Sequence, residues 1–530
     1  MSVIDPIEQG LESGWSVTDG ASLTENRTVE ADVVVIGTGA GGGTSAEILA
    51  RAGLSVILVE EGGLYHQKDF KMDELASYAS LYQDGMSRVT RDGAIAILQG
   101  RCVGGSTTVN WTSSFRTPEA TLNYWANQLG MEDLSPDAMA PWFDGREKRH
   151  NISPWTMDPN TNNDILRQGC EKLGYSWQTI PRNVKGCWDL GYCGFGCPTN
   201  AKQGALTTTI PGALENNATL FYRLRADRLV MAQDRIDHLL ASAMTEDGVT
   251  PSGVTVTLKA RHFVVAASAI GSPGLLLRSD IPDPYNRVGK RSFLHPVNAT
   301  TAVMADKVEP FYGAPQSIYS DEFNFKEGVD GPAGFKLEVP PLHPAMAAGV
   351  VPHHGQQQAD AMANLPWTQS MLALVRDGFH ADSPGGTVSL RDDGSPVLDY
   401  PVSDYLWTGL RKAFHTMAEL QFAAGARKVS FVHMDSAWYS SWPEARAALD
   451  ELPMAPHRVR LFTAHQMGGC GMGQKPEDSV VNSFGQHHQV ANLSVHDASI
   501  FPTSIGANPQ LSVYALAARN SSRLASKLSN

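Results

Sequence analysis

Three groups of residues in this 530-residue chain have the types and spacing that chemistry needs. The first is Gly37-x-Gly39-x-x-Gly42, a pattern that lets backbone lie against a pyrophosphate. Its first glycine makes a tight turn, the second permits close approach, and the third lets a helix pack on a strand. Glu60 follows Gly42 by 18 residues, near the spacing at which an acid meets a ribose hydroxyl pair. The second group is Cys187, Cys193 and Cys197, spaced C-x5-C-x3-C. Neither interval is the CxxC of a zinc ribbon. With no fourth cysteine nearby, the plain reading is a Gly-rich loop with buried thiols, and a three-thiolate iron–sulfur site is the alternative. The third is His465, which opens the Gly468-Gly469 loop. An imidazole titrates near neutrality without a large shift, so it suits removal of a hydroxyl proton. The chain has sixteen histidines, and one alone is ordinarily a surface or core residue.

These residues need elements to hold them. The β-branched run from Val33 to Ile36 predicts a buried parallel strand that breaks at Gly37. A helical pattern (Ala46, Leu49, Ala50) starts near Gly42, and Leu54 to Glu60 reads as a second strand. Strand, helix, second strand and terminal acid in register predict dinucleotide binding. Gly104 and Gly105, followed by Ser106, form a loop that either lies against a flat ligand or is a plain turn. Asn508-Pro509 precedes a helical pattern from Gln510, so Asn508 is a candidate N-cap. That helix N-terminus would also favour negative charge on a nearby ring. Segments from 219, at Leu229 and from 261 read as strands. Leu406, Leu410, Phe414, Met417 and Leu420 mark a helix. Residues 1–30 read as a polar extension over the surface.

The length allows two or more domains. A net charge of −13 argues against nucleic acid or an anionic membrane as the main partner. No run of 18 apolar residues predicts a spanning helix, and the first residues lack a signal-peptide pattern, so a cytoplasmic location with free thiols is expected. The pairs His353-His354 and His487-His488 have no carboxylate spacing and read as surface residues; no metal site is expected.

Gly100-Arg101-x-Val-Gly104-Gly105-Ser106-x-x-x-Asn110 resembles the first signature of the glucose–methanol–choline (GMC) flavoenzyme family. Ala267 to Ser279 is similar to its second signature, although Asp280 stands where glycine is usual. Thr463 to Cys470 resembles the catalytic-histidine loop, and Val495 to Pro509 the C-terminal flavin-contacting segment. Cys193-Gly-Phe-Gly-Cys197-Pro also resembles bacterial members and plant long-chain-alcohol oxidases.

The resemblance implies a Rossmann-like α/β FAD domain and an α+β substrate domain with an antiparallel sheet roofing the flavin. The implied layout is an N-terminal extension (1–30), FAD segments 31–115, 201–290 and 455–530, a Cys-rich lid (116–200) and a substrate domain (291–454). It implies FAD, held non-covalently because Val109 precedes Asn110 with no adjacent His. Arg101, Gly104, Gly105, Ser106, Asn110, Leu229, Asp497 and Pro509 join Gly37, Gly39, Gly42 and Glu60 as cofactor contacts, with backbone near Leu229 beside the adenine. The implied reaction oxidises a lipophilic or aromatic primary or secondary alcohol to an aldehyde or ketone, with hydride passing to flavin N5. His465 serves as sole base, since Asn508 replaces the second His of many members. O2 or an electron carrier would reoxidise the flavin. A hydroxynitrile-lyase-like activity and an iron–sulfur dehydrogenase subunit are the alternatives.

Overall fold

A computed structural model describes residues 3–352 and 354–529. Its first sheet has at its centre the strand Arg27–Ile36, whose last four residues are buried on both faces. Val56–Val59 pairs parallel on one side and Pro251–Val265 on the other, with Leu493–Val495 parallel beyond the latter. The register sets Ile36 opposite both Val59 and Val265, and Val265 opposite Val495. Four strands therefore end level, and Gly37, Glu60, Ala266 and His496 leave the sheet along one carboxyl edge. Ligands of open α/β sheets bind at such an edge.

The helix Ala40–Arg51 starts earlier than the sequence pattern indicates, so Gly42 lies inside its first turn. A Cβ on Gly42 would sit 1.8 Å from Gly37 O, so the helix packs there with no room for a side chain. Residues 1–30 do more than cover the surface. Val17–Asp19 forms the sheet's edge strand, parallel to Thr219–Tyr222, and Ile7 of the helix Pro6–Glu12 is buried.

The second large sheet is mostly antiparallel and is built on Val297–Val303, Thr368–Val375 and Phe335–Glu338. Side chains alternate between its faces. Met371, Ala373 and Val375 pack under the helix Asp404–Ala423, where Leu406, Leu410, Phe414, Met417 and Leu420 form the expected buried stripe. Ser403 caps that helix by accepting from Leu406 N. The opposite face carries Val297, Leu372 and Leu374.

A small four-stranded sheet joins the two. In it Lys290–Leu294 runs antiparallel to Gln466–Gly468, with Leu294 opposite Gln466. The next residues along the pair are His295 and His465.

Candidate active site

One cavity of about 930 Å³ runs from the carboxyl edge of the first sheet to the apolar face of the second. Two glycine loops meet at its floor. Gly37 has φ +101°, and a Cβ there would strike Ala266 O at 2.3 Å; Gly105 has φ +52°, and its Cβ would meet Gly39 Cα at 2.8 Å. Both sites need glycine for conformation and for space. Thr38 ties the loops together, its Oγ1 accepting from Gly104 N (3.1 Å) and donating to Glu60 Oε2 (2.6 Å).

Gly37, Gly39, Glu60, Arg101, Gly105, Ser106, Asn110, Asp497 and Pro509 all line the cavity. Gly42 and Gly104 stand behind it as packing and turn residues. Burial raises the Glu60 carboxyl, which Gly62 N and Thr38 bond. Arg101 is tied to Glu61 (3.1 Å) and to Gly248 O. Asn110 donates to Gln510 Oε1 (2.7 Å) and joins the segment after the Gly104-Gly105 loop to the last helix.

Three expectations need correction. Leu229 does not reach the cavity. It is fully buried in the core with its N–H on Ser279 Oγ, and the strand fronts the cavity earlier, at residues 223–227. The Asp497 carboxylate has no free acceptor role at the flavin, because Ser268 N, Ser272 Oγ, Ser499 N and Ser499 Oγ already donate to it. Asn508 does not cap the last helix; that helix starts at Gln510, and the Asn508 amide crosses to Glu338.

His487 is also not a surface residue. It is buried, and its Nδ1 accepts from Gln489 N and Val490 N. His488 is half-buried against Ser479, His354 is exposed, and His353 lies outside the described residues.

His465 and Asn508 both line the cavity. Burial pushes its imidazole down to about 3, so it is neutral at physiological pH. Its Nδ1 lies 3.0 Å from Nδ1 of His295, with the two rings nearly perpendicular. His295 Nε2 accepts from Gly506 N at 3.0 Å. Sequence reasoning missed His295, because only the strand register brings it opposite His465. It also missed Glu338, whose Oε2 accepts from Asn508 Nδ2 (3.2 Å) and Gln316 Nε2 (2.5 Å). Burial raises Glu338 to about 7, opposed by nearby Lys336.

The cysteine loop braces the site. Lys202, pushed down to about 8 by burial, donates to Thr108 O, Asn110 O and Cys193 O at 2.6–2.8 Å. Tyr82 donates to Gly194 O. Among the described residues no three His, Cys, Asp or Glu side chains converge as a site for a metal ion. Cys193 Sγ instead accepts from Arg182.

A sheet with parallel central strands and two opposed glycine loops at their carboxyl edge, roofed by a mostly antiparallel sheet, defines a flavin-dependent oxidoreductase of two interleaved parts. Two family models, both described as GMC oxidoreductase, match residues 78–297 and 382–517, and the chain belongs to the GMC oxidoreductase family. It is 28% identical to a long-chain-alcohol oxidase of Arabidopsis thaliana, over 96% of this chain and 69% of that protein. It is 31% identical to an uncharacterised GMC-type oxidoreductase of Mycobacterium tuberculosis, over 92% and 74%. Its fold matches a formate oxidase variant from Aspergillus oryzae (TM-score 0.70, 17% identity, 95% and 99% coverage). It also matches the pyridoxine 4-oxidase of Mesorbium loti (TM-score 0.68, 17% identity, 93% and 98% coverage).

The enzyme uses FAD. The residues present fit it: Gly37, Gly39 and Gly105 line one end of the cavity with backbone packed too closely for a side chain at Gly37 or Gly105, and the cavity continues from there to His465. No helix of the described residues is long and apolar enough to cross a membrane.

Proposed function

We propose that this enzyme oxidises a lipophilic or aromatic alcohol, primary or secondary, to an aldehyde or ketone. One observation supports this above the others. The wall formed by Val297, Leu372, Leu374, Phe462 and Trp111 meets His465 and Asn508 in the cavity that holds the glycine loops. An apolar chain gains roughly 0.8 kcal/mol per buried CH2 against such a wall, whereas a free sugar would leave its hydroxyls unpaired there. The similarity to long-chain-alcohol oxidases points the same way.

Bound FAD supplies the hydride acceptor at flavin N5. The protein's part is to orient the carbinol carbon and hold its oxygen. We assign the oxygen to His465 and Asn508, the FAD to a non-covalent site, and reoxidation to O2 or an electron carrier. Service as the base requires a bare Nε2 on His465, and the His295 contact governs whether it has one.

The test is an anaerobic panel of fatty, aromatic and sugar alcohols scored by flavin absorbance, followed by admission of air. Bleaching by the apolar alcohols is the expected result. A colourless protein, or a yellow one that no alcohol bleaches, overturns the reading; cleavage of a cyanohydrin without bleaching would establish lyase chemistry instead.

A further inference from the structure

We propose that His295 is a positioning residue that keeps the hydrogen of His465 on Nε2, so that His465 meets the substrate oxygen as a hydrogen-bond donor. The inference rests on the alcohol-oxidising reading of the site and concerns how its histidine works.

A backbone N–H can only donate. Gly506 N lies 3.0 Å from His295 Nε2, so that nitrogen carries no hydrogen. His295 is fully buried, and burial together with His465 keeps it neutral. A neutral imidazole has one N–H, which is therefore on Nδ1. That nitrogen faces His465 Nδ1 at 3.0 Å, and a hydrogen bond there holds a single hydrogen. His295 supplies it and His465 accepts. The hydrogen of neutral His465 is left on Nε2, the nitrogen without a protein partner among the described residues, on a ring that lines the cavity.

The constraint is built into the backbone. Gly506 has φ +75°, and a Cβ there would strike the Phe325 ring at 2.8 Å. Buried Asn324 holds the carbonyl on the other side of the same residue, donating to Gly506 O at 2.7 Å. The Leu294–Gln466 register sets the two histidines side by side. In the opposite arrangement, with hydrogens on His465 Nδ1 and His295 Nε2, two donors would face each other at Gly506 and a buried N–H would go unpaired.

On this proposal His465 acts as a donor, where the sequence expectation is a base. A fixed Nε2–H holds the substrate oxygen and stabilises negative charge as it develops there. With FAD bound, the electron pair of the C–H bond would leave with its hydrogen to the flavin, and the O–H pair would become the second C–O bond. The O–H proton goes to solvent water.

The direct test is 15N NMR of histidine-labelled, FAD-loaded enzyme, with His465 assigned by its loss in His465→Gln. The expected spectrum shows His465 protonated at Nε2 and bare at Nδ1; a proton on Nδ1 overturns the proposal. In His295→Phe the His465 signals should move towards a mixture of forms with FAD content unchanged, and unchanged signals would overturn it. If that variant fails to fold, the wild-type spectrum still decides. His465→Gln, whose amide can donate but cannot act as a base, should exceed His465→Ala in kcat by roughly 10²-fold; equal rates contradict a donor. Loss of yellow colour or of alcohol-dependent bleaching would refute the alcohol reading, whereas the nitrogen shifts report on the histidine pair independently.

Discussion

At the scale of single residues, the site depends on which groups hold hydrogens. Asn508 spends one amide hydrogen on Glu338, a buried carboxyl raised to about 7. As pH rises through 7 that group ionises and becomes a better acceptor for Asn508. The kcat/KM of the wild type should therefore show a rising limb near pH 7. Glu338→Gln keeps the size and removes the titration, so the limb should vanish; a limb that persists in the variant would assign it to another group. His465→Ala should keep FAD and lower kcat by roughly 10²–10³-fold, the effect of removing one donor to a developing oxyanion.

At the scale of elements, the glycine loops give a paired prediction. Gly105→Ala puts a Cβ 2.8 Å from Gly39 Cα in a left-handed conformation, so the purified variant should lose most of its flavin absorbance per chain. Gly53→Ala shares the positive φ (+85°) but meets nothing within 4 Å. It should cost about 1–2 kcal/mol of stability and keep its FAD. Equal flavin content in both variants would contradict the assignment of the loop.

The same scale separates what the sequence reveals from what it hides. Val33 to Ile36, the turn at Gly37 and the stripe from Leu406 to Leu420 are legible because each follows a short period along the chain. His295 is invisible there, because it gains meaning only from a strand pairing across about 170 residues. Asp497 and Asn508 fall in the right segments, but their side-chain partners come from elsewhere: Ser268 and Ser272 for one, Glu338 for the other. Leu229 shows the limit of placing a contact by strand alone, since the cavity is fronted a few residues earlier on that strand.

At the scale of the whole molecule, buried histidines tie the fold to pH. His150, His262, His465 and His496 are pushed down to about 3, and His343 and His487 to about 4, chiefly by burial. The unfolded chain binds protons at these sites below about 6.5, the folded chain only near 3–4. Their stabilisation is thus complete above 6.5 and lost as pH falls towards 3. Glu338 and Asp377, both raised to about 7, act the other way and cost stability as pH rises from about 4 to 7. Burial also raises Glu60 and Asp497 and lowers His295, His415 and His488, so nine histidines outweigh four carboxyls below 6.5, and only the carboxyls act just above it. Tm from calorimetry should peak near pH 6.5 and fall steeply on the acid side; a Tm flat between pH 4 and 6.5 would contradict the buried-neutral assignment.

The interleaved segments make one claim about the molecule as a whole: FAD and an alcohol share the cavity that His465 borders. Anaerobic stopped-flow of the purified yellow enzyme with a fatty alcohol tests it most directly. The account predicts rapid bleaching of the flavin in the wild type, recovered on admitting air or a carrier, and slowed by orders of magnitude in His465→Ala with FAD still bound. Bleaching at an equal rate in both proteins would contradict it.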